Sequence, residues 1–463
     1  MRIDGLSLDF FRNYVHLDAA FDPNINVIYG DNAQGKTNLL EAVAYLSGVS
    51  HRARYDRELI QFGVDHAFLK GHVFARERDF LLEAELHRGA RRVLRSNGVK
   101  LKNGGELSGI FQSVLFCPED LYLIREGAAA RRGFLDDCIC QLRPRYAQAL
   151  AEYKRLHEHK TRILRDSEEK PSLLDALDEF SMSMAKAGAL LIHYRAHFIK
   201  RLCQAAPAIH GDFSGGRERL TLRYETVSTV TDPEAGPQVI FQQLLQHQEE
   251  HRAAEIASRQ CLSGPHKDDL LVEVDGQAAK SYASQGQTRT AALSLKLAAR
   301  EIFQQDTGEY PVLLLDDVLS ELDPRRQEFV LNRIRGGQVF ITCCEDDRLP
   351  NGAARQRVLK CRAVTRRITC CEDDQLPQLL GGRIFHIKEG WMAEQRSGAM
   401  ENRKIKVKSL ISVTAWVVAL GMFIAYLFLE RQWMLFTIDF AILLSCLLGI
   451  LDPEEDRRSK NVY

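Results

Sequence analysis

Eight residues, "GDNAQGKT" at 30–37, limit what this chain folds into more than any other stretch of it. They fit the pattern G-x-x-x-x-G-K-[ST], follow the apolar "NVIY", and open "KTNLLEAVAYLSG", whose apolar spacing is helical and stops at Gly48. A strand that feeds such a loop, and a loop that feeds a helix, aim successive backbone N–H groups at one point. The groups of Gly30, Asp31, Asn32, Ala33, Gln34, Gly35, Lys36 and Thr37 are therefore expected around a β-phosphate. Lys36 is expected to reach the β- and γ-oxygens and Thr37 to hold Mg²⁺, which makes ATP and Mg²⁺ the implied cofactors. A bare glycine turn is the competing reading, and the agreement of strand, loop and helix goes against it.

Charge is delivered at a second strand end. "VLLLDD" at 312–317 is four apolar residues followed by two carboxylates, the pattern of a buried parallel strand with acid at its C-terminal end. Asp316 is expected to bind Mg²⁺ through water, and Asp317 to polarise the attacking water; "SELD" follows at 320–323. About thirty residues before the acidic pair, "SYASQGQTRTAALSLKLAARE" runs from a Ser/Gly/Gln loop into an amphipathic helix. Such an N-terminus suits a phosphate. An ordinary helix cap explains Ser284, Gly286 and Gln287 nearly as well when they are taken alone.

Around these motifs the pattern changes along the chain. Residues 1–119 alternate strands and helices: "RIDGLSLDFF" and "NINVIYG" read as strands, and Asn97-Gly98 marks a hairpin. Residues 120–258 read as a helical arm, interrupted at Pro171 and closing near Pro207, and 259–342 return to the mixed pattern. An α/β head split by a helical insertion is the expected architecture. Further on, "ITCCEDDRLP" (341–350) recurs as "ITCCEDDQLP" (368–377), so 343–399 reads as a duplicated or irregular linker. Residues 400–463 begin at Met400 like a fresh start of translation. They carry two apolar runs, each about long enough to span a bilayer, joined by Glu430, Arg431 and Gln432. Lysines and arginines on both flanks predict a transmembrane hairpin with its two ends cytoplasmic.

A formal net charge of zero makes no global demand for nucleic acid, so any DNA contact has to come from local clusters. "HRGARRVLRSNGVKLK" (87–102) and "KRLHEHKTRILR" (154–165) are candidates, with Arg131 and Arg132 at the foot of the arm; each reads equally well as a solvated charged face. The N-terminus is charged from its second residue and lacks the apolar segment of a secretory signal. Eleven cysteines without a single C-x-x-C argue for free thiols in a reducing cytoplasm and against a zinc site.

The order of phosphate loop, Ser-Gln-Gly-Gln loop and acidic strand end resembles the ABC-type ATPases, in which the middle loop meets the γ-phosphate held by the other protomer. More narrowly, "DFFRNY", "GDNAQGKTNLLEA", "SHRARYDRELIQFG", "CPEDLYLIREG", "RRGFLD", "GPHKDD", "ASQGQTRTAALSLKLA" and "LLLDDVLSELD" resemble, in this order, the bacterial recombination-repair RecF family over residues 1 to about 342. The resemblance implies an ABC-type α/β head with a helical arm, ATP-dependent homodimers, and weak ATP hydrolysis. It also implies binding to double-stranded DNA and gap junctions, with RecO- and RecR-type mediator partners that help load recombinase. It puts Arg12 against the nucleotide, Ser284, Gly286 and Gln287 in a signature acting across the dimer, and Thr342 in the place of a γ-phosphate sensor. Glu119 and Asp120 are expected to couple head to arm or simply to cap a helix, and His266 to line the site or to form a turn. Relatives favour glycine early in the phosphate loop, so Ala33 is expected to fit with a negative φ. An SMC-type clamp would need a far longer coiled coil than this arm. A transporter ATPase, suggested by the apolar tail, would carry a glycine-richer signature.

Overall fold

The computed structural model describes residues 1–343, apart from positions 31, 32, 50, 51, 54, 103, 319–321 and 335, together with 383–388 and 391–395. Asp31, Asn32, half of "SELD", all but the first few residues of the duplicated stretch, and both apolar runs of the tail lie outside the described residues.

The chain starts as a hairpin of β1 (Arg2–Phe11) and β2 (Tyr14–Ala20), with Arg12 and Asn13 at its tip. β3 (Ile25–Tyr29) then leaves that sheet and feeds the phosphate loop and α1 (Lys36–Leu46). Leu39, Leu40, Val43 and Leu46 of α1 are fully buried, which anchors the helix that carries Lys36 and Thr37. β4 (His66–Ala75), β5 (Arg78–His87), β6 (Val93–Ser96) and β7 (Val99–Lys100) rejoin the first sheet, antiparallel in the order β2-β1-β4-β5-β6-β7. The expected Asn97-Gly98 turn joins β6 to β7, with φ of 51° and 79°, the left-handed pair that a two-residue hairpin requires. α2 (Gly104–Ser108), β8 (Ser113–Phe116), a 3₁₀ turn at Pro118–Leu121 and α3 (Tyr122–Arg125) follow.

Next come α4 (Ala128–Leu142), α5 (Pro144–Asp166), α6 (Leu177–Ser214), β9 (Leu220–Glu225) and α7 (Pro237–Ser258). The chain returns through β10 (Asp269–Val274), β11 (Gln277–Ala278), α8 (Ala279–Tyr282), α9 (Gln285–Thr307), β12 (Val312–Leu315), α10 (Pro324–Arg333) and β13 (Val339–Cys343). A final hairpin, β14 (Arg383–Lys388) and β15 (Trp391–Gln395), ends the described residues.

The second large sheet places the chemistry. Its order is β15-β14-β3-β13-β12-β8, and β14, β3, β13, β12 and β8 are mutually parallel. The phosphate loop, the acidic pair after Leu315 and Thr342 therefore all leave one edge of the sheet, the carboxyl edge where open α/β sheets bind ligands. Alternate residues of β12 serve two cores: Val312 and Leu314 face the one around α1, Leu313 and Leu315 the one around α9. Burial on both faces is why this strand reads as an unbroken apolar run.

Three segments differ from expectation. α6 does not close near Pro207 but continues to Ser214, where Gly215 (φ 64°) caps it. Leu202, Ala206, Ile209 and Phe213 are buried along one face, and that packing outweighs the missing N–H of the proline. Within the stretch read as helical, "LTLRYE" forms β9, which pairs with β10 from Leu220↔Val274 to Asp269↔Glu225. Finally, within the stretch read as a duplicated or irregular linker, Arg383–Lys388 and Trp391–Gln395 are regular strands, and β14 pairs in parallel with β3 and extends the head sheet.

Candidate nucleotide site and signature helix

The loop between β3 and α1 is held open by a left-handed backbone. Gly30 has φ 149°, Ala33 φ 64° and Gly35 φ 116°. The expectation of a negative φ at Ala33 is thus overturned, and the alanine carries roughly 1–2 kcal/mol of left-handed strain. The surrounding bonds hold that conformation. Asn13 Nδ2 donates to the Gln34 carbonyl (2.9 Å), Tyr14 OH to the Gly35 carbonyl (3.0 Å), and Asn38 Nδ2 to Asn13 Oδ1 (2.9 Å). A Cβ on Gly35 would stand 2.6 Å from Asn13 Nδ2, so glycine is required there for space as well as for φ. Asn13 and Tyr14 were not singled out from the sequence. Their only signal was their place in "DFFRNY".

Lys36 is buried, and its Nζ donates to the Gly30 carbonyl across the loop. Thr37 Oγ1 donates to Asp316 Oδ1 (3.1 Å), and Thr342 Oγ1 donates to the same oxygen (2.8 Å). The backbone N–H of Asp317 donates in turn to Thr342 Oγ1 (2.8 Å), which fixes Asp317 at φ 52°. The loop from Ala33 to Asn38, Arg52, Asp316, Asp317 and Thr342 together line a cavity of about 220 Å³. Three strand ends and one helix start have brought these groups together over some 300 residues of sequence. Burial raises the Asp316 carboxyl above its ordinary value, against the hydroxyls of Thr342 and Thr37 and the charge of Arg52. A hydroxyl and a desolvated carboxylate beside each other are hard oxygen donors, of the kind that would hold Mg²⁺.

Arg12 does not line that cavity. Its guanidinium chelates Glu41 of α1 (Nε–Oε2 2.8 Å, Nη2–Oε1 2.9 Å) and donates to the Glu58 carbonyl (2.8 Å), so it ties the hairpin tip to the helix carrying Lys36. Arg52, absent from the sequence-derived set, does line the cavity and pairs with Glu119. The neighbouring Asp120 caps the 3₁₀ turn by accepting from Cys117 N–H (2.9 Å) and also pairs with buried Lys296 of α9 (2.8 Å). Glu119 and Asp120 therefore link the cavity to α9 rather than the head to the arm. Lys296 Nζ also donates to the Leu115 carbonyl of β8 (2.8 Å). Lys296→Ala is expected to cost about 3–5 kcal/mol, because Asp120 is left as an uncompensated buried charge. Urea unfolding of both proteins measures the difference.

His266 lies elsewhere, in a second cavity of about 160 Å³ between α4, α5 and α6. It bonds Tyr153 OH (2.7 Å) and the Cys261 carbonyl (3.0 Å), and burial pushes its ring down to about 3. Arg131 is likewise internal, forked onto Asp269 (2.6 and 2.9 Å) and the carbonyls of Leu123 and Glu126. In the first basic stretch, Arg88 caps three carbonyls, Arg92 binds Tyr45 and Asp56, and Arg95 pairs with Glu85. In the second, Lys160 is buried against Glu255 (2.6 Å). Exposed Arg91, Lys100, Lys102, Lys154 and Arg155 are among what these stretches leave for a phosphate backbone.

The signature loop carries its cap. Ser284 precedes α9 with Gln287 N–H donating to its Oγ (3.3 Å), while Ser284 N–H donates to Gln287 Oε1 (2.9 Å), a reciprocal capping box. Ser284 remains exposed, and none of Ser284, Gly286 and Gln287 lines the nucleotide cavity.

With this geometry in place, residues 2–367 match the family described as the RecF/RecN/SMC N-terminal domain. A protein named DNA replication and repair protein RecF from Agathobacter rectalis is 40% identical over 345 residues, which is 74% of this chain and 92% of that protein. Its namesake from Acetivibrio thermocellus is 38% identical over 352 residues, covering 76% and 95%. A solved structure described as the recombination mediator protein RecF-ATP in the RecFOR pathway superposes with a TM-score of 0.72 at 31% identity, covering 85% of this chain and 97% of that one. A second, described as the RecF-ATPrS form, gives 0.73 at 30%, covering 85% and 98%.

Proposed function

This chain belongs to the RecF family, and from that premise we propose that it is an ATP-dependent DNA-binding protein of replication and recombinational repair. Its heads pair on ATP and part on hydrolysis, so the nucleotide times a stay on DNA. The observation that carries the reading is the convergence of Lys36, Thr37, Asp316, Asp317 and Thr342 on one cavity while the Ser284 loop stays outside it. Two heads related by a two-fold axis complete each cavity with the other's Ser284, Gly286 and Gln287. The N-terminus of α9 then faces the partner's γ-phosphate.

Each residue has a defined task in that assembly. The loop N–H groups and Lys36 bind the phosphates, and Asp317 accepts a proton from the attacking water. Thr37 and Asp316 would hold Mg²⁺, which when bound supplies positive charge to the β- and γ-oxygens. Thr342 orients both aspartates through one hydroxyl. Double-stranded DNA, gap junctions and mediators of the RecO and RecR type are the partners this family reading supports, in a reducing cytoplasm. The free thiols of Cys117, Cys138, Cys140, Cys203 and Cys261 are in keeping with that compartment. Fluorescence anisotropy of labelled duplex DNA tests the reading. ATP should tighten binding, and affinity should fall steeply with salt because phosphate contacts release counterions. Equal affinity with and without ATP would overturn it.

A further inference from the structure

α10 brings a guanidinium to the signature loop. We infer that Arg326 acts across the dimer, placing its guanidinium on the γ-phosphate bound by the partner's Lys36 loop; this rests on the head-to-tail pairing proposed above. Asp323 caps α10, its Oδ1 accepting from the N–H groups of Arg325 and Arg326 (3.1 Å each), and this sets where the Arg326 side chain begins. From there Nη1 reaches Gly286: a Cβ built on that glycine would stand 3.2 Å from Nη1 and 3.9 Å from Nη2. The absence of a side chain at 286 is therefore what lets the guanidinium lie beside the loop. Gly286 lies in the first turn of α9, just after its cap Ser284, so the guanidinium sits beside the helix N-terminus that carries the signature loop.

Its restraint is light. Among the described residues its one ion pair is with Asp323, at 3.3 Å, and that carboxylate is half exposed. The Arg326 side chain is itself partly exposed, and a single 3.3 Å contact between neighbours on one helix turn is readily exchanged for a better anion. A triphosphate entering between the heads is such an anion, and a planar guanidinium matches two of its oxygens at once. Arg326 does not line its own head's nucleotide cavity, so the charge has no phosphate to meet in cis. A fixed cation that arrives only when the heads close ties hydrolysis to dimerisation. A lone helix cap at Ser284 would not provide this.

Two variants separate this role from a structural one. Arg326→Ala should bind ATP as a monomer with wild-type affinity yet lose at least ~10-fold in hydrolysis, as removing a transition-state charge does. Asp317→Asn should also be inactive, for a defect confined to its own cavity. Mixed as monomers before ATP is added, the pair forms hybrids in which the Arg326→Ala cavity meets an intact Arg326. Half of the dimers are then hybrids with one complete site of two, so about a quarter of the wild-type rate should return. Activity that stays absent on mixing, or an Arg326→Ala enzyme within a few-fold of wild type, would overturn the inference. A wild-type protein that fails to dimerise on ATP would instead remove the pairing on which it rests.

Discussion

Replacing Lys36 with alanine is expected to weaken ATP binding by about two to four orders of magnitude. The ammonium makes charge-assisted bonds to two phosphate oxygens, and each such bond is worth about 1.5–3 kcal/mol. Lys36 is buried at the first position of α1, and Arg52, which also lines the cavity, is already paired with Glu119. Its Nζ donates to the Gly30 carbonyl, an uncharged acceptor that an anionic phosphate oxygen readily replaces. Isothermal titration of both proteins with ATP measures the loss. Unchanged affinity would remove the phosphate-loop assignment, and with it the case for ATP-driven dimers.

Asp317→Asn should separate binding from turnover. An amide cannot accept the proton of the attacking water, so hydrolysis should slow by about 10²–10⁴-fold. ATP affinity should hold, because the Asp317 backbone N–H that anchors Thr342 is unaltered by the substitution. The dimer formed in ATP should live longer in proportion. Phosphate release and ATP titration on the same preparation read both effects. Turnover within a few-fold of wild type would place the base elsewhere on the chain.

Much of this was visible in the sequence because it depends on local chemistry. A glycine-rich loop between an apolar strand and a helix, and two carboxylates ending an apolar run, are dictated by backbone geometry and burial within a dozen residues. The Asn97-Gly98 turn belongs to the same class. What escaped reading depends on distant partners. β9 is six residues long and becomes a strand through β10, and β14 joins the head sheet through β3. Pro207 looked like a helix end because local propensity ends helices at proline, yet the buried face of α6 carries the helix past it. The same holds for charges. Arg12, Arg92, Arg131 and Lys160 read as available cations, and each has a carboxylate brought to it by the fold. Ala33 shows the reverse: it is left-handed in a loop whose next two carbonyls are held by Asn13 and Tyr14 from the neighbouring hairpin, which no rule about loop composition contains.

The account stands or falls on whether the nucleotide at Lys36 and the loop at Ser284 meet between two heads. Light scattering of the wild type and of Ser284→Arg, with and without Mg-ATP, measures this most directly. Arginine at 284 gives up the α9 cap, at about 1 kcal/mol of stability, and fills the exposed approach to the loop. The cavity around Lys36 is left alone, so the variant should bind ATP as the wild type does. The wild type should double in mass on ATP while Ser284→Arg stays monomeric and does not hydrolyse. A wild-type mass indifferent to ATP, or a Ser284→Arg protein that dimerises and turns over normally, would contradict a site shared between two chains.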